Sequence, residues 1–306
     1  MTPSRNEVSN LHTLDMLRAS VPEADALLDQ ELKCLDKGFV RLVDYMGGDA
    51  RIVQSARVSY GAGTKTVRED RGLINYLMRN WHTSPFEQVQ LTFHCKMPIF
   101  VARQWVRHRT AKLNEISGRY SIMRDEFYLP DPEQVRFQSI SNKQGRSEDC
   151  LTPEQSSEVL RLFEEEQRAI YSNYSQLIEK NVARELARMN LPLSMYTEWY
   201  WSIDLHNLFH FLRLRMDPHA QYEIRVFAER MAECARAVAP LAYDAFEEHV
   251  LGSVTFSRGE AEALVALLDK KEPQLTGRAL QTFRDKLDKL RAAQASQPAE
   301  EPTLLS

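Results

Sequence analysis

The fourteen residues 107–120 concentrate side chains suited to binding an anion. They include Arg107, His108, Arg109, Asn114, Glu115, Ser117 and Arg119. Arginine stays charged at any working pH, and its flat fork of donors matches phosphate oxygens. A solvated basic face is the simpler explanation. However, the segment directly follows the apolar residues 97–102, and buried arginines need partners. The segment therefore predicts a site for a multiply charged anion.

The composition is that of a globular protein, with 43% hydrophobic and 27% charged residues. The net charge of −4 gives no global field that would attract nucleic acid, so an anion site must be a local cluster. The first residues lack the apolar core of a secretory signal, and no apolar run reaches the roughly 18 residues that span a bilayer. The four cysteines lack metal-type spacing. We therefore expect a cytoplasmic protein with reduced thiols and no membrane or nucleic-acid partner.

Hydrophobic periodicity predicts the elements that position the arginine segment. Residues 88–96 alternate between apolar and polar side chains, which indicates a half-buried strand. Pro98 suits the first turn of a helix. That helix would carry Trp105 and Arg109 on one stripe, and a loop over 110–117 would follow it.

Upstream, residues 39–45 form a short apolar run that predicts a strand. Asp49 is predicted to be the N-cap of the helix after it. A further helix is predicted over 72–80, with Tyr76 and Leu77 on one face. Residues 1–36 are polar and helix-prone.

Downstream, the polar residues 131–150 lack periodicity and predict a mobile excursion. Thr152 begins a capping box before a long helix, and residues 195–201 alternate as in another strand. Asp204 can cap the next helix. The apolar stripe of that helix is Leu205, Leu208, Phe209 and Leu212.

His206 and His210 occupy the other face of that helix, at a spacing that can present two ligands to one metal. The glutamate of zinc-peptidase helices is missing between them, and a third ligand would have to come from elsewhere. A polar helix face and a wall for a ring-shaped ligand are equally compatible with the pair. A metal-dependent hydrolase that uses this pair is therefore one alternative. A nucleotide- or RNA-binding module that uses the arginines and aromatic residues is a second, although the acidic net charge counts against it.

The chain contains neither a Gly-x-Gly-x-x-Gly unit nor a phosphate loop ending in Gly-Lys-Ser or Gly-Lys-Thr. A dinucleotide would therefore not be held in the Rossmann manner. Side chains and helix ends would contact its phosphates instead.

The spacing of Arg107-His108-Arg109, seven residues, Ser117, one residue and Arg119 resembles the signature of the flavin-dependent thymidylate synthase family. Other segments resemble the family in the same order, namely 56–61, 82–87, 98–105, 183–188, 191–197 and 212–224. The resemblance covers residues 37–250.

The resemblance implies a mixed α+β fold with a central, largely antiparallel sheet flanked by helices. It implies that long helices pack in a homotetramer with active sites at subunit interfaces. It divides the chain into a helical extension at 1–36, a catalytic domain at 37–250, and an extension at 251–306 that is helical and then disordered.

The implied reaction is the synthesis of dTMP from dUMP. The ligands are FAD, NADPH and 5,10-methylenetetrahydrofolate, and no cysteine nucleophile or metal is needed. NADPH reduces the flavin, the folate donates the carbon unit, and the reduced flavin supplies the hydride.

The resemblance also implies a role for each matching residue. The expected FAD contacts are Ser84, Arg107, His108, Arg109, Glu115, Asp204, Leu205, His206 and His210. The expected dUMP contacts are Gln104, Trp105, Val106, Arg107, Glu115, Ile116, Ser117, Gly118, Arg119, Arg188 and Arg215. Arg215 is the expected catalytic residue, which ionises uracil N3. The chain departs from the family's usual asparagine and arginine at positions 204 and 206. Residues 107–109 are thus expected to face the flavin and residues 115–119 the nucleotide, with more than one subunit contributing to each site.

Overall fold

A five-stranded antiparallel sheet forms the centre of the structure, a computed structural model that describes residues 20–58, 67–140 and 144–295. The strands are β1 (Glu31–Cys34), β2 (Gly38–Met46), β3 (Gln90–Pro98), β4 (Lys112–Glu115), β5 (Arg136–Gln138), β6 (Arg146–Cys150) and β7 (Tyr196–Asp204). The sheet order is β1-β2-β3-β7-β4, and β5 pairs separately with β6. The predicted mixed α+β fold around a largely antiparallel sheet is confirmed.

Helices and short turns connect the strands. The α-helices are α1 (Pro22–Asp25), α2 (Asp49–Arg57), α3 (Val67–Arg79), α4 (Ile99–Trp105), α5 (Pro153–Glu179), α6 (Arg184–Ala187), α7 (Leu205–Arg215), α8 (Tyr222–Val238), α9 (Pro240–Phe246), α10 (Arg258–Leu268) and α11 (Gly277–Ala295). Among the described residues, no helix is both long enough and apolar enough to cross a membrane.

Strands β3 and β7 form the middle of the sheet because their side chains alternate in step. Phe93 lies opposite Trp201 and Cys95 opposite Trp199, and all four side chains are at most 1% exposed. The predicted alternation of residues 88–96 is therefore confirmed. The other face carries polar partners such as Thr92, whose hydroxyl donates to Ser202 Oγ at 3.1 Å. One face of the sheet thus holds the core, as expected of a half-buried antiparallel sheet.

The region after α4 differs from its prediction. The helix ends at Trp105, so Arg109 does not continue its apolar stripe. Residues 112–115, predicted as a loop, form β4 and pair with β7, with Glu115 opposite Trp199. This pairing joins segments more than eighty residues apart, and a polar four-residue stretch carries no local signal for it.

Two local predictions upstream are also wrong. Asp49 is the first residue of α2 rather than its N-cap, which is Gly48. The Asp49 carboxylate instead accepts the backbone amides of Leu241 and Ala242 at 2.8 and 2.9 Å and so caps α9. The second wrong prediction put Tyr76 and Leu77 on one face of α3. Tyr76 is 49% exposed, whereas Leu77 and Ile74 are buried.

Residues 131–150 contain regular structure rather than only an irregular excursion, because β5 and β6 form a two-stranded antiparallel sheet. Within the predicted N-terminal extension, residues 31–34 form β1 at the edge of the main sheet. Residues 1–19 lie outside the described residues, as do residues 296–306 of the predicted disordered tail.

The chain divides into two compact units, 1–249 and 250–306. In the second unit, Ser257 begins α10 with a capping box. Lys286 of α11 donates to both carboxylate oxygens of Glu260 at 2.8 and 2.7 Å. Phe283 is 1% exposed and contacts Phe256 edge to face. This ion pair and ring contact hold α10 and α11 together.

Candidate active site

Helix α7 presents one face to the core and the other to an open cleft. Asp204 caps it as predicted, since its carboxylate accepts the Asn207 amide at 2.9 Å. The predicted stripe of Leu205, Leu208, Phe209 and Leu212 is confirmed, with each side chain at most 4% exposed. Burial of that stripe turns the opposite face of the helix, with His206 and His210, towards the cleft.

The other wall of the cleft is the turn that follows α4. Trp105 ends that helix and is fully buried, with its ring 5.1 Å from the Phe211 ring and 5.5 Å from the Trp201 ring. This anchor places residues 107–110 against α7. The resulting cleft of about 790 Å³ is called the arginine cleft, and it is lined by Arg107, His108, Arg109, Thr110, His206, Asn207, His210, Leu214 and Arg215.

Arg215, at the end of α7, is half-buried and held at two points. Its Nε donates to His108 Nε2 at 3.1 Å, and its Nη2 donates to the Gln104 carbonyl at 3.3 Å. Burial lowers the pKa of Arg215, but a guanidinium remains protonated at any working pH. Among the described residues no carboxylate pairs with it, and its bonds go to a ring nitrogen and a backbone carbonyl. The rest of its donor fork is therefore left for a ligand.

His108 is a neutral imidazole in this arrangement. Burial lowers its pKa to about 4, with further contributions from the charges of Arg215 and His210. Because the Arg215 Nε–H donates to Nε2, the ring proton must lie on Nδ1. The ring also contacts Phe211 edge to face at 4.9 Å. His108 thus positions Arg215 without adding a positive charge.

The electrostatics of the arginine cleft favour an anion. Its lining contains three arginines and three histidines and no aspartate or glutamate. Arg107 and Arg109 are exposed, and no ion pair joins either to a described residue. Arginines without carboxylate partners around an open cleft suit a phosphate-bearing ligand, since each can form charge-assisted hydrogen bonds.

A second group of predicted residues surrounds the Gly118 turn, defined as residues 117–121. Amides at 120 and 121 donate to the Ser117 carbonyl, and the Ser117 hydroxyl accepts the amide of residue 119 at 3.3 Å. Gly118 is buried, and a Cβ there would lie 3.1 Å from Arg188 Cδ. Arg119 pairs with Glu185 at 3.5 Å. The Gly118 turn therefore lies beside α6 and Arg188.

The residues between the two groups are fixed by the sheet. Glu115 accepts from the Thr197 hydroxyl at 2.6 Å, and the Ile116 amide donates to the Glu198 carbonyl at 2.9 Å. Strand β4 thus lies between the two groups along the chain and is held by β7. No residue of 115–119, nor Arg188, lines that cleft.

The structure brings together only part of the predicted FAD set. Arg107, His108, Arg109, His206 and His210 share the arginine cleft. The rest of the predicted set, namely Ser84, Glu115, Asp204 and Leu205, does not line it within one chain. Ser84 lies in an exposed turn before β3, whereas the Leu205 side chain is fully buried.

The residues predicted to contact dUMP also do not all lie in one cleft of a single chain. The Trp105 side chain is fully buried, so only its backbone can contact a ligand. Val106 is the half-buried C-cap of α4. Gln104 is half-buried, and its side-chain amide donates to Gln221. Arg107 and Arg215 are the members of this set that line the arginine cleft, and Arg215 also donates to the Gln104 carbonyl and to His108.

Three lining residues were missed by the sequence prediction, namely Thr110, Asn207 and Leu214. Asn207 and Leu214 lie seven residues apart on α7, with His210 between them. This is the spacing of one helix face, so the period that placed the two histidines could also have found both.

The structure gives His206 and His210 no third metal ligand among the described residues. Within the described parts of the chain, no group of three His, Cys, Asp or Glu side chains could hold an ion. The two histidines instead line the arginine cleft.

Comparisons with known proteins agree with this arrangement. The family model described as thymidylate synthase complementing protein matches residues 41–241, and that of the thymidylate synthase ThyX C-terminal domain matches residues 254–293. The chain is 62% identical over 260 residues to the flavin-dependent thymidylate synthase of Treponema denticola, which covers 85% of this chain and 98% of that protein. It is 52% identical over 264 residues to that of Rickettsia conorii, covering 82% and 90%.

A solved structure is similar as well. The UMP/dUMP methylase PolB of Streptomyces cacaoi, crystallised with 5-Br dUMP, has 32% identity and a TM-score of 0.65, covering 71% of this chain and 97% of that chain. The matched residues 41–241 include strands β3, β4 and β7, the arginine cleft and the Gly118 turn. As its motifs predict, the chain belongs to the flavin-dependent thymidylate synthase family.

Proposed function

We propose that this chain converts dUMP to dTMP by reductive methylation, with FAD as cofactor and with NADPH and 5,10-methylenetetrahydrofolate as co-substrates. The observation that carries the proposal is Arg215, a half-buried cation with no carboxylate partner among the described residues, held in a carboxylate-free cleft. Relatives named flavin-dependent thymidylate synthases and a methylase solved with a dUMP analogue support the substrate and the cofactor.

The arginine cleft fits a phosphate-bearing cofactor such as FAD. Arg107 and Arg109 would hold its phosphates, and His206 and His210 would supply the wall beside it. When bound and reduced by NADPH, FAD supplies the hydride that the methylation requires. The family usually has asparagine at position 204, where this chain has Asp204. The difference is mild at a helix N-cap, because aspartate and asparagine both cap a helix well.

The chain's own residues would act on the nucleotide. Ser117, Arg119 and Arg188 surround a turn that suits a phosphate monoester, with charge-assisted hydrogen bonds of about 1.5–3 kcal/mol each. Arg215 would stabilise the negative charge that develops on the uracil ring. Its two bonds, to His108 Nε2 and the Gln104 carbonyl, preorganise the guanidinium before the reaction.

The thiols support a reaction without a cysteine nucleophile. Burial raises the pKa of Cys34 and Cys234 to about 12 and that of Cys95 well above its usual range. His94 precedes Cys95 in the sequence, but strand alternation places the two side chains on opposite faces of β3. Cys150 is exposed on β6 and is not among the residues that line the arginine cleft.

A site completed by a homotetramer is part of the proposal. The arginine cleft and the Gly118 turn hold different predicted residues and do not share a cavity within one chain. Exposed apolar side chains next to them, including Leu113 at 40% and Ile116 at 39%, are suited to contact another copy. Residues 37–250 would form the catalytic domain.

The test compares the Arg215→Ala variant with the wild type. Purified wild-type protein should be yellow, and NADPH should bleach its flavin absorbance when dUMP is present. Arg215→Ala should keep the flavin but form dTMP about 10²–10³-fold more slowly, the usual cost of removing one preorganised donor. Arg213→Ala is the matched control, because Arg213 is an exposed arginine of the same helix that does not line the cleft. Near-normal turnover in Arg215→Ala refutes the assignment.

A further inference from the structure

A relay of side-chain hydrogen bonds joins Gln104 to a buried carboxylate outside the arginine cleft. Glu223 is 3% exposed near the start of α8. Its Oε1 accepts from the Tyr128 hydroxyl at 3.1 Å and from Arg146 Nη2 at 2.5 Å. Its Oε2 accepts from Gln221 Nε2 at 2.8 Å, and Gln221 Oε1 accepts from Gln104 Nε2. These bonds connect β6 with the end of α4.

The Glu223 carboxylate determines the orientation of the side-chain amides of Gln221 and Gln104. An ionised carboxylate accepts hydrogen bonds and cannot donate them. Arg146 pairs with Glu223, while burial and the Glu223 charge raise the pKa of Tyr128, so that its hydroxyl stays a donor. Gln221 must therefore turn its NH₂ group to Glu223 and its oxygen to Gln104. Gln104 must in turn donate its NH₂ group inwards, which leaves its Oε1 as a free acceptor.

Gln104 also touches the reactive arginine, because its backbone carbonyl accepts from Arg215 Nη2 at 3.3 Å. We propose that Glu223 is a positioning residue for nucleotide binding. It acts through Gln221 to keep Gln104 Oε1 facing an N–H or O–H donor of the nucleotide. The inference rests on the proposed function, in which Gln104 belongs to the dUMP site.

The Glu223→Gln substitution reverses this relay without removing volume. The new amide would keep its oxygen on the two strong donors, Tyr128 and Arg146, and would turn its NH₂ group to Gln221. Gln221 would then offer its NH₂ group to Gln104, and Gln104 would have to present a donor where the nucleotide needs an acceptor. An unmatched pair of donors costs about one hydrogen bond or more.

The experiment is a double-mutant cycle on the FAD-loaded enzyme, with the Kd for dUMP measured by isothermal titration calorimetry. Glu223→Gln should raise that Kd about tenfold, the equivalent of one hydrogen bond. In a Gln104→Ala background the same substitution should change the Kd less than about twofold, because the two residues act as one unit. Gln221→Met, at an exposed position, should reproduce the effect with Glu223 still paired to Arg146. It serves as the second variant if Glu223→Gln does not fold.

The control removes a different ion pair, the one between Glu126 and Lys96 of β3. Glu126→Gln breaks the bond of 2.8 Å to Lys96, a side chain only 10% exposed. It should lower the thermal stability of the protein without changing the Kd for dUMP. A tenfold effect of Glu223→Gln that persists without the Gln104 side chain overturns the relay, and so does a wild-type Kd in both Glu223→Gln and Gln221→Met. A wild-type enzyme that binds no dUMP overturns the proposed function as well.

Discussion

The stability of the protein should depend on the protonation of His108 in acid. Burial, together with the charges of Arg215 and His210, lowers the pKa of this imidazole from 6.5 to about 4. The unfolded chain binds a proton at this residue below about pH 6.5, and the folded protein binds it only near pH 4. The unfolded state therefore binds more protons between these values, so the free energy of unfolding falls as the pH falls. The loss of unfolding free energy that His108 causes is complete below about pH 4.

The magnitude follows from the size of the shift. A full shift from 6.5 to about 4 corresponds to about 3 kcal/mol at pH 4, at 1.36 kcal/mol per pKa unit. His108 is only half-buried in an open cleft, so solvent screening reduces this to about 1.5 kcal/mol. That is a measurable part of the stability of an ordinary domain.

The assay compares wild type with His108→Gln by urea unfolding at pH 7 and pH 4, at one protein concentration. Glutamine can still accept from Arg215 but does not titrate, so the variant should lose about 1.5 kcal/mol less than wild type between the two pH values. Carboxylates elsewhere titrate equally in both proteins and cancel in the difference. His219→Gln, at a side chain 84% exposed, is the control and should follow wild type. If the free energy of unfolding falls equally in wild type and His108→Gln between pH 7 and pH 4, the reasoning is refuted.

Two further substitutions test the packing around the site. Gly118→Ala would bring a Cβ within 3.0 Å of Met123 Sδ and 3.1 Å of Arg188 Cδ. It should displace Arg188 and raise the Kd for dUMP severalfold while costing less than about 1.5 kcal/mol of stability. Calorimetric titration measures the Kd, and thermal melting measures the stability. An unchanged Kd contradicts the contact with Arg188. Asp49→Ala removes the acceptor of two amides at the start of α9 and should cost about 1–2 kcal/mol in urea unfolding, with Asp49→Asn closer to wild type and the Kd for dUMP unaffected in both.

Local patterns were sufficient for much of the fold. The alternation over 88–96 predicted β3, and the side-chain chemistry of Thr152 and Asp204 predicted the starts of α5 and α7. Each of these signals lies within one element, where a strand or helix period or a single capping bond decides the outcome. The family was predicted from motif spacing, and the comparisons confirm both the family and its enzymatic class.

Contacts between distant segments could not be predicted in this way. Strand β4 exists because β7 pairs with it, and Asp49 caps a helix that begins 191 residues later rather than its own. The Trp105 side chain packs in the aromatic core, which leaves only its backbone for the predicted nucleotide contact. In each case the partner that decides the outcome is remote in sequence, and no local period reports it.

Residues 107–120 show the same contrast between what local residue types predict and what tertiary contacts decide. Residue types were enough to predict an anion site over 107–120, because arginine's charge and fork shape do not depend on the fold. The family resemblance implied the division between residues 107–109 and residues 115–119. The tertiary structure alone places His108 beside Arg215, pairs the β4 residues between the two groups with β7, and connects Gln104 to Glu223 through Gln221. A side chain's chemistry is local, whereas its orientation, its pKa and its partners come from packing among elements far apart in the chain.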